Sequence, residues 1–147
     1  MSTDTTKADF DLRDFTPYLL NMAAEETSLD FQKHYKGRHG LLRTEWRVLF
    51  HLGRYGAMTA RDICDRARLH KTKVSRAVAA LEARRYLVRT RDADDRRCEA
   101  LHLTPAGLAV FRDLREVARG YDAGLLARFT AEERRVLHGC LTRLAGL

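Results

Sequence analysis

Cysteine is scarce in this chain of 147 residues, and what there is does not pair: Cys64, Cys98 and Cys140 stand far apart and are odd in number. That excludes a disulfide framework and leads us to expect a reducing, cytoplasmic setting. No two of the three have the short spacing of a zinc knuckle. Apolar residues never run to the roughly 20 that a bilayer span needs. Met1 to Asp9 is polar, so neither a signal peptide nor a membrane anchor is expected. The chain has no Gly-rich phosphate loop, no His-Glu-x-x-His and no Gly-x-Ser-x-Gly. With those constellations missing, the chain is read as not an enzyme, and no catalytic residue, metal or cofactor is assigned. Six histidines are scattered along it. His34 and His39 with Glu25 or Glu26 leave a zinc-sensor reading open, although no cysteine lies near them.

Acidic charge is lacking where basic charge collects. Residues 1–40 hold 5 Lys/Arg against 7 Asp/Glu, residues 41–103 hold 15 against 8, and residues 104–147 hold 7 against 5. The net charge of +7 therefore equals that of the middle segment alone. A polyanion partner belongs to that segment, with affinity that falls steeply as salt rises.

Within it, residues 69–83 have helical periodicity with two unlike faces. At about 100° per residue, Val74, Ala77, Val78 and Leu81 share one side. Thr72, Arg76, Ala79 and Ala83 fall opposite, flanked by Lys73 and Ser75. One side can pack; the other offers cations for phosphate and short polar groups for base edges, as a helix in a DNA major groove requires. Upstream, Thr59 and Asp62 have capping-box spacing and open a short helix carrying Arg61, Ile63 and Ala67. Two short helices with a tight link through Arg68 and Leu69 make a helix-turn-helix. His70 stands at the cap of the second helix before Lys71, where Ser or Asp caps better, so a contact to phosphate or base is an alternative role. Downstream, Tyr86 to Arg91 and Cys98 to Leu103 read as two strands of a hairpin with Asp92-Ala93-Asp94-Asp95 and Arg96-Arg97 at its tip. Cations there reach phosphate or an adjacent minor groove. The aspartates also invite a metal reading, which the neighbouring arginines oppose.

The fold class that results is mostly α with a small β-hairpin wing, a winged helix-turn-helix with N- and C-terminal dimerisation helices. Trp46-Arg47-Val48-Leu49, Met58 to Ile63, Lys71 to Arg76, Leu81-Glu82, Asp92 to Arg97 and Leu101-His102-Leu103-Thr104-Pro105-Ala106-Gly107 together resemble the MarR family of bacterial transcription regulators. The resemblance runs from about Leu41 to Leu114, and the Asp-Arg-Arg wing followed by Leu-x-Leu-Thr-x-x-Gly is its specific part. It implies a homodimer with each recognition helix in a major groove and each wing in a flanking minor groove. Arg97 would be the minor-groove arginine, held by Asp95. His70 departs from the family's usual small cap.

The remaining helices are expected on either side of this module. Proline occurs only at Pro17 and Pro105, each after a threonine, a cap followed by a first-turn proline. The first helix is expected to about Tyr35, with Gly37 and Gly40 ending it, and a core helix from Thr44 to His51 follows. A helix of about six turns follows Pro105, and Thr130 to Glu133 cap a last one. Residues 1–40 are thus an arm and dimerisation helix, 41–103 the DNA-binding module, and 104–147 the C-terminal dimerisation helices. Their wide apolar surfaces need covering, either by closing on the same protomer or, as the resemblance implies, by a second copy, which would set two recognition helices on one face of a pseudo-palindromic duplex.

Family resemblance places an effector pocket where the dimer helices meet the winged module. His39, Arg43, Trp46, Arg47, His51 and Arg115 are available there, a mixture suited to a small anionic aromatic ligand. The reading is a sequence-specific regulator, most simply a repressor, controlled by such a ligand. Alternatives are a cysteine-based redox regulator of the same fold and a non-specific architectural DNA binder. Peroxide-sensing relatives keep a cysteine in the first helix, which this chain lacks. Cys64 reads as packing, while Cys98 beside Arg96-Arg97 is the better thiolate candidate.

Overall fold

A computed structural model describes residues 9–91 and 99–147. After a 3-10 turn at Leu12–Asp14 the elements run α1 (Thr16–His39), α2 (Arg43–Tyr55), β1 (Met58–Thr59), α3 (Ala60–Ala67), α4 (Lys71–Ala83), β2 (Leu87–Arg91), β3 (Glu99–Leu103), α5 (Pro105–Leu126) and α6 (Ala131–Ala145).

Local chemistry explains most of these boundaries. The Thr59 and Thr130 hydroxyls accept from the amides of Asp62 and Glu133, whose carboxylates return the bond to the threonine amides, so α3 and α6 open on complete capping boxes. Thr104 caps α5 just before Pro105. At Thr16-Pro17 the expected cap is displaced by one residue: Thr16 is already helical and Phe15 takes the cap position with no side-chain bond. Nor does Gly37 end α1. The helix runs through it to His39, and a Cβ there would meet nothing within 4 Å. Gly40, at φ +63°, ends it: its amide bonds to the Lys36 carbonyl, and the Leu41 amide to that of Tyr35. The second helix is longer than the expected Thr44 to His51, running from Arg43 to Tyr55.

The wing is more than a hairpin. β2 and β3 pair antiparallel with Leu87 opposite Leu103 and Arg91 opposite Glu99. The two residues of β1 add a third strand on the other edge of β3, Met58 opposite Leu101. Its tip, with Asp95, Arg96, Arg97 and Cys98, lies outside the described residues.

One continuous core holds these elements together. Leu41, Val48 and Leu49 meet Ile63, the buried face of α4, Leu87 and Leu101, and Phe31 and Tyr35 of α1 join Phe111 and Leu114 of α5 at its upper end. Among the described residues, no helix is long and apolar enough to cross a membrane.

Candidate nucleic-acid interface and effector junction

The recognition helix follows from the division of its faces. Val74, Ala77, Val78 and Leu81 are the four buried residues of α4. They fix it against α2 and α3 and turn Lys71, Thr72, Lys73, Ser75, Arg76 and Ala79 to solvent. The approach from α3 is set by Arg68, which takes the left-handed conformation (φ 52°) that ends α3. His70 then caps α4: its Nδ1 accepts from the Thr72 amide at 3.2 Å. A neutral imidazole accepting at Nδ1 carries its proton on Nε2, so the ring that caps the helix still offers a donor outward.

Charge on this surface is sorted into free and engaged cations. Among the described residues Lys71, Lys73, Arg76 and Arg61 make no ion pair, and a cation without a carboxylate partner is available to phosphate. On the wing the arrangement is the reverse. Arg89 bonds Glu82 of α4 at 2.9 Å and Glu99 of β3 at 3.3 Å, and Arg91 bonds Glu99 at 3.1 Å. Those two arginines, Arg91 first, hold the Glu99 carboxyl below its usual value. Burial works against the charge on Arg89, but its bonds to Glu82 and Glu99 raise its pKa. This clamp ties the wing base to the recognition helix, a tie that no local pattern of the sequence announces. Two arginines, Arg89 and Arg91, standing between Glu82 and Glu99 are its trace in the sequence. Thr59 is half-buried with its hydroxyl engaged in the α3 cap.

The six residues expected at the effector junction are spread along α1, α2 and α5. Trp46 is half-buried in an aromatic cluster, its ring centroid 5.3 Å from Phe31, 5.5 Å from Tyr35 and 5.1 Å from Phe50. Arg47 lies beside this cluster with no ion pair among the described residues, and its pKa is lowered, first by burial and then by Arg43. Burial raises the Tyr35 hydroxyl, against the opposing pull of Arg43 and Arg47. His39 is committed to Asp113 of α5 at 2.7 Å. His51 Nδ1 pairs with the Arg47 carbonyl at 2.7 Å, which orients the ring within its own helix. Arg115 lies over the Phe111 ring, 5.6 Å from its centroid, and faces Glu116.

None of the six borders either of two open grooves found among the described residues. A groove of about 330 Å³ between α1 and α5 is lined by Thr27, Ser28, Phe31, Ala118, Tyr121, Asp122 and Leu125. The Tyr121 hydroxyl crosses it to donate to the Thr27 carbonyl at 2.6 Å. The second, about 580 Å³, is lined by Tyr55, Met58, Asp62, Asp65 and Arg66, with the Arg66 guanidinium stacked 3.6 Å from the Tyr55 ring centroid. Phe31 and Tyr121 are the junction residues that the sequence analysis passed over, because an aromatic at helical spacing reads equally well as core.

Residues 39–97 match the model of the MarR family. That segment, the winged-helix module, is similar to the family. Solved structures extend the likeness over nearly the whole chain. The MarR family transcriptional regulator SPO1453 from Silicibacter pomeroyi is 29% identical, with 92% of this chain and 99% of that one covered and a TM-score of 0.77. A MarR/EmrR family transcriptional regulator from Acinetobacter sp. ADP1 is 26% identical, with 93% and 96% covered and a TM-score of 0.83. BpsR of Bordetella bronchiseptica, 22% identical with 94% and 98% covered and a TM-score of 0.84, shares the fold. The matched family and the two neighbours of higher identity are transcriptional regulators, not enzymes.

Proposed function

We propose that this MarR-family protein is a homodimeric, sequence-specific repressor whose DNA affinity is lowered by a small anionic aromatic ligand. The observation that carries the DNA-reading part is the outward face of α4, where Lys71, Lys73 and Arg76 stand unpaired among the described residues beside Thr72 and Ser75. Arg61 on α3 and the outward Nε2 of His70 extend this surface. Thr59 fixes the start of α3 through its cap, and Asp95, Arg96 and Arg97 supply the wing contact by family likeness. Selection from random duplexes with the purified full chain tests this reading. A pseudo-palindrome with half-sites about one helical turn apart is expected. Binding without enrichment would instead identify an architectural DNA binder.

The dimer reading rests on α6, which has no buried residue, and on the exposed Val136, Leu137, Leu141 and Leu144 along it. Phe15, Leu19 and Met22 near the start of α1 are exposed as well. The ligand reading rests on Arg47. A partly desolvated guanidinium with a second one beside it and no carboxylate partner among the described residues costs free energy that a bound anion recovers. The aromatic cluster of Trp46, Phe31 and Tyr35 next to it supplies a flat apolar wall. BpsR offers a precedent, since its DNA binding is regulated by 6-hydroxynicotinic acid. A thermal-shift series with benzoate and 6-hydroxynicotinate should stabilise the wild type and leave Arg47→Gln unmoved. DNA release by peroxide, with no stabilisation by either acid, would favour the cysteine switch.

A further inference from the structure

The last turn of α1 is gripped from two sides by different elements. Arg38 reaches Asp113 of α5 with two parallel bonds, Nε to Oδ2 at 3.0 Å and Nη2 to Oδ1 at 2.7 Å. His39 Nε2 adds a third contact to the same carboxylate at 2.7 Å. From the other side comes Arg84, the residue that closes the recognition helix. Its Nη2 donates to the Gly40 carbonyl at 2.8 Å and its Nη1 to the His39 carbonyl. Carbonyls at a helix C-terminus lack intrahelical donors and carry the negative end of the dipole, so a guanidinium is a favourable partner there. Side chains thus tie this turn to α5, and its main chain is tied to α4.

We propose that this joint transmits movement between the dimerisation helices and the recognition helix, with Asp113 and Arg84 as positioning residues for DNA reading. The inference rests on the DNA-reading role proposed above and adds the route by which the junction reaches it. The buried face of α4 is apolar, and apolar contact is non-directional, so it tolerates small rotations. Charge-assisted hydrogen bonds are directional and short. A shift of α1 against α5 must therefore either break the Arg84 bonds or carry the end of α4 with it. Gly40 leaves room for the grip, since a Cβ there would stand 3.3 Å from Arg84 Nη2.

The test uses the full chain and four variants: Asp113→Asn, Asp113→Glu, Arg84→Lys and the Asp113→Asn/Arg84→Lys double. Hydrogen exchange is read at amides 80–86, relative to those of α3 in the same protein, so that a general loss of stability cancels. Asp113→Asn, although Asp113 bonds no residue of α4, should speed exchange in that turn by about tenfold. Asp113→Glu should restore part of the protection. Binding to the selected duplex should weaken by about tenfold in Asp113→Asn and in Arg84→Lys, less in Asp113→Glu, with little further loss in the double, the mark of two residues acting in one path. Unchanged relative exchange in Asp113→Asn, or fully additive losses in the double, would overturn the proposal. If the wild type enriches no duplex, the proposed function fails; the exchange arm, which needs neither DNA nor ligand, still decides the joint.

Discussion

Gly107 is where the fold tolerates least. A Cβ there would stand 2.0 Å from the Tyr86 carbonyl oxygen, a main-chain atom that cannot swing aside. The same small corner holds Thr104, whose amide donates to that carbonyl at 3.0 Å. The Thr104 hydroxyl donates to the Arg85 carbonyl at 2.6 Å and accepts from the Gly107 amide at 3.1 Å. The Leu-Thr-x-x-Gly run thus seats α5 against the end of the recognition unit, with the threonine as clasp and the glycine as clearance. Gly107→Ala should lower the unfolding free energy by about 2–3 kcal/mol, as overpacking against an immobile group does. Gly37→Ala, inside α1 with nothing within 4 Å, should instead raise it by about 0.5–1 kcal/mol. Urea denaturation of the two variants checks both, and equal effects would refute the steric account. On the reading face, Arg76→Ala should weaken operator binding by about 1–3 kcal/mol and relax preference at one base position. Competition binding against a set of single-base operator variants measures both effects.

At the level of elements, what the sequence made legible was whatever depends on neighbours a few residues away. The capping boxes at Thr59 and Thr130 and the four-residue apolar face of α4 are contained in their own segments. Strand β1 was not visible, because two residues make a strand only when β3 lies opposite them. The grip of Arg84 on α1 and the bond of Asp113 to Arg38 join residues remote in sequence, and no local period encodes them. The two grooves likewise arise only where elements meet. The wing clamp is of this kind and has a pH signature. Arg91 and Arg89 hold the Glu99 carboxyl below its usual value. A carboxyl depressed in the folded state contributes stability fully above its unfolded pKa, about 4, and loses it as pH falls through the lower folded value. Amide protection along β2 and β3 should therefore drop on acidification below about pH 4, with Glu99→Gln showing lower protection and a flatter profile. A wild-type profile as flat as that of Glu99→Gln would remove the clamp from the account.

For the whole molecule the surface that matters most is α6, which has no buried residue. That helix is held at its two ends: Arg134 donates to the Leu126 and Phe129 carbonyls at one, and Arg68 of the helix-turn-helix corner donates to the Ala145 carbonyl at 2.6 Å at the other. Between these anchors Val136, Leu137, Leu141 and Leu144 remain exposed. A second copy covering them gains about 1.5–3 kcal/mol for each side chain fully buried, and a two-fold interface counts every residue twice. Leu141→Glu removes this gain on both sides and places two carboxylates in an apolar seam, so the dimer dissociation constant should rise by about a thousandfold or more. Because pairing stabilises the folded chain by mass action, the variant should unfold at a lower denaturant concentration than the wild type at high protein concentration, and the gap should narrow as the wild type is diluted toward the monomer. Its DNA binding should then separate by duplex length. A full pseudo-palindrome profits from two linked reading heads, and its affinity should fall toward that of a single half-site. A duplex carrying one half-site should bind wild type and variant alike, with the same salt slope, since the phosphate contacts of one protomer are untouched. Sedimentation and paired titrations read these quantities independently. A variant that stays dimeric, or that loses half-site binding as steeply as full-site binding, would show that α6 serves the protomer and not the pair.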